Sequence, residues 1–160
     1  MDIQDFIIQF IASAIGTAGF AAVFNTPKKE YLFCAINGGV IWVTYLLMKD
    51  NGAGITMASM GSTFVITIMA RAFSSIRKNP VTVFLIPAIF PLVPGAGIYY
   101  TAYYIIMNDV AMAGVKGMET FEFVGGIVLG IVFGFFMPQG IFTKLAKLET
   151  KREDGRYQKI

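Results

Sequence analysis

The chain has 160 residues, of which 56% are hydrophobic and only 14% are charged. A soluble domain carries about 25% charged residues because its surface faces water, so most of this surface is expected to face a lipid bilayer. The sequence has no histidine and a single cysteine, Cys34, which argues against histidine-dependent catalysis, the usual zinc and haem sites and an intramolecular disulfide. We therefore expect no enzyme, no metal and no cofactor, and no basic tract points to nucleic acid.

Hydropathy predicts an all-α integral membrane protein with about five transmembrane helices in one membrane domain, residues 1–160. A helix needs roughly 20 apolar residues to cross the hydrocarbon core, and the first such stretch covers residues 6–24. Its start lacks the basic residues and the cleavage site of a secretory signal, so it is expected to remain as a span. Further spans are predicted at residues 32–48, 54–73, 81–107 and 121–142, followed by a polar tail, 143–160.

The distribution of lysine and arginine predicts the side of the membrane on which each loop lies. Five crossings that start with the N-terminus outside place eleven of the 13 basic residues on the cytoplasmic side, in keeping with the positive-inside rule. Only Lys49 and Lys116 would remain outside. A fourth segment that folded back as a hairpin would move the charges of the tail outside, so we expect that segment to cross and the C-terminus to be cytoplasmic.

The fourth span contains the strongest local feature, a run of helix-breaking residues: Pro87, Pro91, Pro94, Gly95 and Gly97. Each proline removes a backbone donor, and glycine permits backbone shapes that other residues resist, so we predict an unwound break near the middle of this span. Irregular backbone at membrane depth is tolerated where protein covers it or where it lines a cavity. The free amides of such a break can hold a carboxylate, and its free carbonyls a cation or ammonium group. A purely structural kink is the alternative.

Three further features near the membrane are candidates for the transport path or its scaffold. Arg71 either extends to the cytoplasmic interface or faces the path and attracts an anionic substrate. Glu122 is the best carboxylate for proton coupling, and a solvated position at the interface is the alternative. Gly126, Gly130 and Gly134 share one helix face and are predicted to allow close packing of helices.

The stretch PAIFPLVPGAGIYYTAY, which begins at Pro87, resembles the signature of the threonine/serine exporter family. A second match is GFAAVFNTP, which ends at Pro27. The resemblance covers most of the chain but only the C-terminal half of the full-length family pattern, so the chain resembles the small subunit of a split, two-component exporter. The motif positions and their neighbours, together with the charged Arg71 considered above, give the expected substrate-binding residues: Pro91, Pro94, Gly95, Ala96, Gly97, Tyr100, Asn25 and Arg71.

The resemblance implies export of threonine, serine or another small carboxylate across a bacterial inner membrane, driven by the proton motive force. It also implies a larger membrane subunit, similar to the N-terminal half of the family, as the partner; a homo-oligomer is the alternative assembly. Three other functions stay open: a subunit that stabilises or regulates its partner without transporting, an exporter of dicarboxylates such as succinate, and a pore.

Overall fold

The computed structural model describes residues 3–140, and within that range the chain is all-α. Its helices are α1 (Ile3–Val23), α2 (Tyr31–Asp50), α3 (Ile55–Arg77), α4 (Val81–Ile89), α5 (Gly95–Ile106) and α6 (Val110–Phe136). Short 3-10 turns, Lys28–Glu30 and Phe90–Leu92, precede α2 and follow α4. The expected tail, 143–160, and the end of the last expected span at Phe142 lie outside the described residues.

Four helical segments in this range are long and apolar enough to cross a membrane by themselves: α1, Lys28–Asp50, α3 and α6. The segments Val81–Leu92 and Gly95–Ile106 meet this criterion only as a pair, and they are bent by 49° where they join. With a bend of 49°, the second helix continues in roughly the same direction as the first and does not return to the side from which the first began. An all-α membrane protein with about five spans, the fourth of them broken at the Pro/Gly motif, is therefore confirmed.

Three of the turns between helices use the same local geometry. Asn25, Gly52 and Asn108 each have a positive φ, at 53°, 83° and 58°. At the first turn the Asn25 amide donates to the Ala22 carbonyl at 3.1 Å and the Thr26 amide donates to the Ala21 carbonyl at 3.0 Å. This is the Schellman pattern, in which a left-handed residue lets the chain satisfy the last carbonyls of a helix.

The last helix begins earlier than the membrane span predicted from hydropathy. α6 starts at Val110, whereas the predicted span starts at residue 121. The Asp109 side chain accepts a hydrogen bond from the Met112 amide at 3.0 Å and so caps the new helix. Lys116 and Glu119 interrupt the apolar run, but neither residue interrupts the helix, because both are good helix formers.

α2 and α3 form the centre of the bundle. α2 packs against α1, α3 and α4, and α3 packs against α2, α4 and α6, while α5 has its main contact with α6. The core lies where α2, α3 and α4 meet and includes Cys34, Ile41, Ile66, Ala70, Phe84 and Leu92, together with Ala21 of α1 and Ile127 of α6. α5 contributes no buried residue.

The glycine face of α6 lies directly against a face of small polar residues on α3. A Cβ atom added at Gly126, Gly130 or Gly134 would overlap with α3, first near Ser59, then near Met60 and Thr63, and last at Thr67. Since residue numbers rise together on both helices, α3 and α6 run in the same direction. The chain therefore has to return between them, and the bent α4–α5 pair makes that return.

This pairing also shows that α6 extends beyond the start of α3. Gly126 lies beside Thr56 and Met60, close to the first turn of α3, while α6 has already run for 16 residues from Val110. At 1.5 Å per residue, the first part of α6 extends about 20 Å past the start of α3. α5 packs on this part of α6, with Gly97 against Thr120. We call α5 and residues 110–122 the projecting hairpin.

Candidate functional site

α4 is adapted to its internal proline by two side chains of α2. Pro87 has no amide hydrogen, so the Val83 carbonyl one turn earlier loses its helical donor. The Cys34 thiol donates to that carbonyl at 3.3 Å. Asn37 Nδ2 lies 3.3 Å from the Phe84 carbonyl and 3.4 Å from the Ile66 carbonyl, and so links α2 to both α4 and α3.

The break in the fourth span lies at Val93 and Pro94. The 3-10 turn after α4 ends at the extended residue Val93, and α5 begins at Gly95. The Gly95 amide donates to the Val93 carbonyl at 2.7 Å, and the Ile98 amide donates to the Pro94 carbonyl at 3.0 Å. The amides of Ala96 and Gly97 have no acceptor among the described residues. They are the free donors expected at a helix N-terminus, where the helix dipole also favours negative charge.

A cavity of about 220 Å³ opens at this N-terminus, and we call it the break pocket. Its lining comes from three helices: Ile55, Pro94, Ala96, Gly97, Glu119, Thr120 and Phe123. Glu119 is half-exposed and pairs with Lys116 Nζ at 2.9 Å. The pocket thus combines amide donors, which suit a carboxylate, with a carboxylate that suits an ammonium group.

The break lies beside the N-terminal end of α3 and not half-way along that helix. Ile55, the first residue of α3, lines the same pocket as Pro94. The predicted break near the middle of the span is correct for the α4–α5 segment itself. Because α5 continues into the projecting hairpin, the middle of the α4–α5 segment lies level with the first residue of α3.

The structure separates the predicted substrate-binding residues into distinct regions. Pro94, Ala96 and Gly97 line the break pocket. Gly95 lies beside them, and a Cβ atom there would meet nothing within 4 Å. Pro91 belongs to the 3-10 turn before the break, and Tyr100 is exposed on α5 with its ring 5.3 Å from that of Tyr99. Neither of these two residues lines the pocket.

Asn25 lies towards the other end of the broken span. It lines a second cavity, of about 190 Å³, together with Pro27, Thr82 and Pro87. Its backbone ends α1 in the left-handed conformation described above, so the local role of Asn25 is that of a helix cap.

Arg71 is buried and bound to the chain itself. Its Nη1 donates to the carbonyls of Gly134 at 2.7 Å, Phe135 at 3.3 Å and Met137 at 2.8 Å. These carbonyls form the C-terminal end of α6, where a cation is favoured by the helix dipole. The side chain therefore joins the end of α3 to the end of α6, and it lies on neither of the two cavities.

The carboxylate in the break pocket is one that the sequence did not single out. Glu122 is exposed and lies outside the pocket, while Glu119, three residues earlier, is part of its lining. Thr120, Phe123 and Ile55 were also missed. The short turn between α5 and α6 was the available signal, because helices joined by a few residues pack as antiparallel neighbours.

The chain matches one family model over residues 9–137, the family described as "Threonine/Serine exporter, ThrE". The match extends from α1 through α6 and includes the whole break pocket. No solved structure matches the chain.

Proposed function

Since the chain belongs to the threonine/serine exporter family, a family of membrane transporters, we propose that it is one subunit of a secondary exporter for threonine, serine or another small carboxylate. The proton motive force drives this export across a bacterial inner membrane. The N-terminus lies outside, and the C-terminus lies in the cytoplasm. The parallel directions of α3 and α6 support an odd number of crossings.

The break pocket carries the proposal. A carboxylate of the substrate accepts hydrogen bonds from the free amides of Ala96 and Gly97, where the helix dipole stabilises its charge. The ammonium group of an amino acid pairs with Glu119 and can also donate to the Thr120 hydroxyl oxygen, whose own proton goes to the Lys116 carbonyl. One small zwitterion thus uses both kinds of group that the pocket presents.

A partner subunit completes this site in the proposal. Glu119 has 46% of its side chain exposed, so the pocket is open on one side, whereas a transport site must be shielded from one side of the membrane at a time. We propose that a larger membrane subunit, similar to the N-terminal half of the family, covers that side. Relative motion of the two subunits then exposes the pocket alternately.

The substrate class is tested by replacing Glu119 with glutamine. Inside-out vesicles from cells that produce both subunits are supplied with labelled threonine, serine and succinate, with an energised membrane. If the substrate is an amino acid, E119Q lowers uptake of threonine and serine steeply, because their ammonium group loses its partner. Uptake of succinate, which has no ammonium group, is the internal comparison.

The outcomes of this experiment separate the open alternatives. Succinate uptake by the wild type that survives or rises in E119Q favours a dicarboxylate exporter, since loss of a negative charge favours a second carboxylate. A subunit that only stabilises its partner tolerates E119Q for every probe. Uptake that follows the membrane potential but ignores the pH gradient favours a pore.

A further inference from the structure

A buried carboxylate lies at the opposite end of α4 from the break pocket. Glu30 ends the 3-10 turn Lys28–Glu30 and is the N-cap of α2, and its side chain has no exposed surface. Among the carboxylates of residues 3–140, Asp5, Asp50, Asp109 and Glu122 are exposed and Glu119 is half-exposed. Glu30 is therefore the one carboxylate in the described range that is shielded from water.

Three donors hold the Glu30 carboxylate. Arg77 binds it with two hydrogen bonds, from Nε to Oε2 at 2.9 Å and from a terminal nitrogen to Oε1 at 3.1 Å. Asn79 Nδ2 donates to Oε1 at 3.0 Å. The Arg77 guanidinium also lies over the Phe33 ring, 4.9 Å from its centroid. The Glu30 carboxylate is fully buried while 33% of the Arg77 side chain is exposed, so a change of charge on Glu30 removes much of the stabilisation of the pair and leaves Arg77 able to reach water.

Among residues 3–140, the other titratable groups next to Glu30 and Arg77 along the chain lie in the segment of Glu30 and at the end of α3. Lys28 and Lys29 precede it and are exposed, Tyr31 follows it, and Cys34 lies one turn further along α2. Lys78 follows Arg77 at the end of α3. Arg77 is thus the cation that compensates Glu30 directly.

The Glu30 site is connected to the break pocket through α4. Asn79 precedes Pro80, which is the N-cap of α4, and the Asn79 carbonyl accepts a hydrogen bond from Ser74 at 2.6 Å. From Val81 the helix and its 3-10 turn run to Leu92, a distance of about 18 Å. A change in the contacts of Asn79 can therefore shift the N-terminal end of α4, and the other end of this short helical segment lies at the break.

We propose that Glu30 is the proton-binding site of the exporter; this inference rests on the proposed function. A proton from water forms an O–H bond with one Glu30 oxygen and makes the carboxyl neutral. Arg77 keeps its positive charge, loses its charged acceptor and turns to water, and Asn79 is released with it. Departure of the proton restores the carboxylate and the pair. Binding and release of this proton couple its movement to that of α4 and hence to the break pocket.

The test compares driven transport with exchange in inside-out vesicles that contain both subunits, with labelled threonine, serine and succinate as probes. E30Q cannot bind or release a proton at this position, so gradient-driven accumulation is lost. Exchange of labelled for unlabelled substrate across the same membrane needs no net proton movement and persists. D50N, which removes an exposed carboxylate, is the matched control and keeps both activities.

The remaining outcomes decide against the proposal. Gradient-driven accumulation in E30Q with the pH profile of the wild type overturns it, as does loss of accumulation in E122Q alone. Loss of exchange together with accumulation, at normal membrane abundance, assigns Glu30 a structural role. Should E30Q be missing from the membrane, the neutral double variant E30Q/R77Q replaces it, and absence of both also assigns the pair to folding. If the wild type accumulates none of the probes, the proposed function itself fails.

Discussion

Cys34 lies where a proline in one helix must be accommodated by a side chain of another. Pro87 leaves the Val83 carbonyl without a helical donor, and the Cys34 thiol, which is fully buried, donates to it. A buried carbonyl without a donor is costly, while a thiol is only a weak donor. A side chain of similar size with a stronger donor, such as the hydroxyl of serine, should therefore keep this part of the bundle intact.

Replacing Cys34 by alanine should lower the free energy of unfolding by about 1 kcal/mol, because the Val83 carbonyl then stays buried without a donor. C34S keeps a donor at the same position and should remain close to the wild type. Unfolding of both variants in mild detergent, followed by circular dichroism as SDS is added, measures the difference. Equal stability of C34A and the wild type would show that the Val83 carbonyl finds another donor.

The roles of Asn25 and Glu30 could not be predicted from the sequence. Asn25 was predicted as a ligand because it lies in the second family match, but its position after the last turn of α1 equally fits a cap, and the structure has it in the left-handed conformation of one. Glu30, which follows two lysines, was not singled out from the sequence at all. Its partners lie 47 and 49 positions further along the chain, and no local pattern announces such a contact.

At the scale of helices, the packing of α3 on α6 depends on the absence of side chains at a few positions. Gly130 faces the Met60 carbonyl, which is backbone and cannot move aside as a side chain would. Gly125, on the same helix, has nothing within 4 Å of an added Cβ atom. These two glycines differ only in what they face, so they form a matched pair.

G130A should destabilise the protein by about 1–3 kcal/mol, because one added methyl group forces the two helices apart. G125A should be neutral or stabilising by up to about 1 kcal/mol, since alanine favours the helix over glycine. The detergent unfolding assay gives both values. A G130A variant as stable as G125A would contradict the close contact between α3 and α6.

The number of helices and the break were predictable because both depend on local properties of the sequence. Runs of apolar residues and the close spacing of Pro91, Pro94 and Gly95 are visible without any contact. The start of α6 was missed because hydropathy responds to Lys116 and Glu119, whereas the helix depends on the Asp109 cap and on helix propensity. The break pocket needed knowledge of which helix lies beside α5, and that is decided by packing.

At the scale of the whole molecule, the order of the helices gives each turn a side of the membrane. Five crossings put the turn after α2 and the turn after α5 on one side. The turns after α1 and α3 lie on the other side, together with the C-terminal end of α6. The parallel course of α3 and α6 agrees with this arrangement.

This topology predicts opposite labelling of two cysteines placed in the C34S background. With the N-terminus outside, as proposed, M107C in the turn after α5 should react with a membrane-impermeant maleimide in intact cells, since Met107 is 59% exposed. K29C, in the turn after α1, should react only after the membrane is permeabilised. Reaction of both variants in intact cells would mean an even number of crossings between these two turns.

The projecting hairpin makes α6 longer than the thickness of the membrane core. α1 has 21 residues and α6 has 27, which correspond to about 31 Å and 40 Å of helix. A bilayer with a core of about 30 Å matches α1 and leaves about 10 Å of α6 outside the hydrocarbon. Lys116, Glu119 and Glu122 lie in this first part of α6, where their charges suit the headgroup layer. Ile106 and Val110, near the tip of the hairpin, are 78% and 80% exposed, so the thickness of the surrounding bilayer sets how far an apolar tip stands out from it.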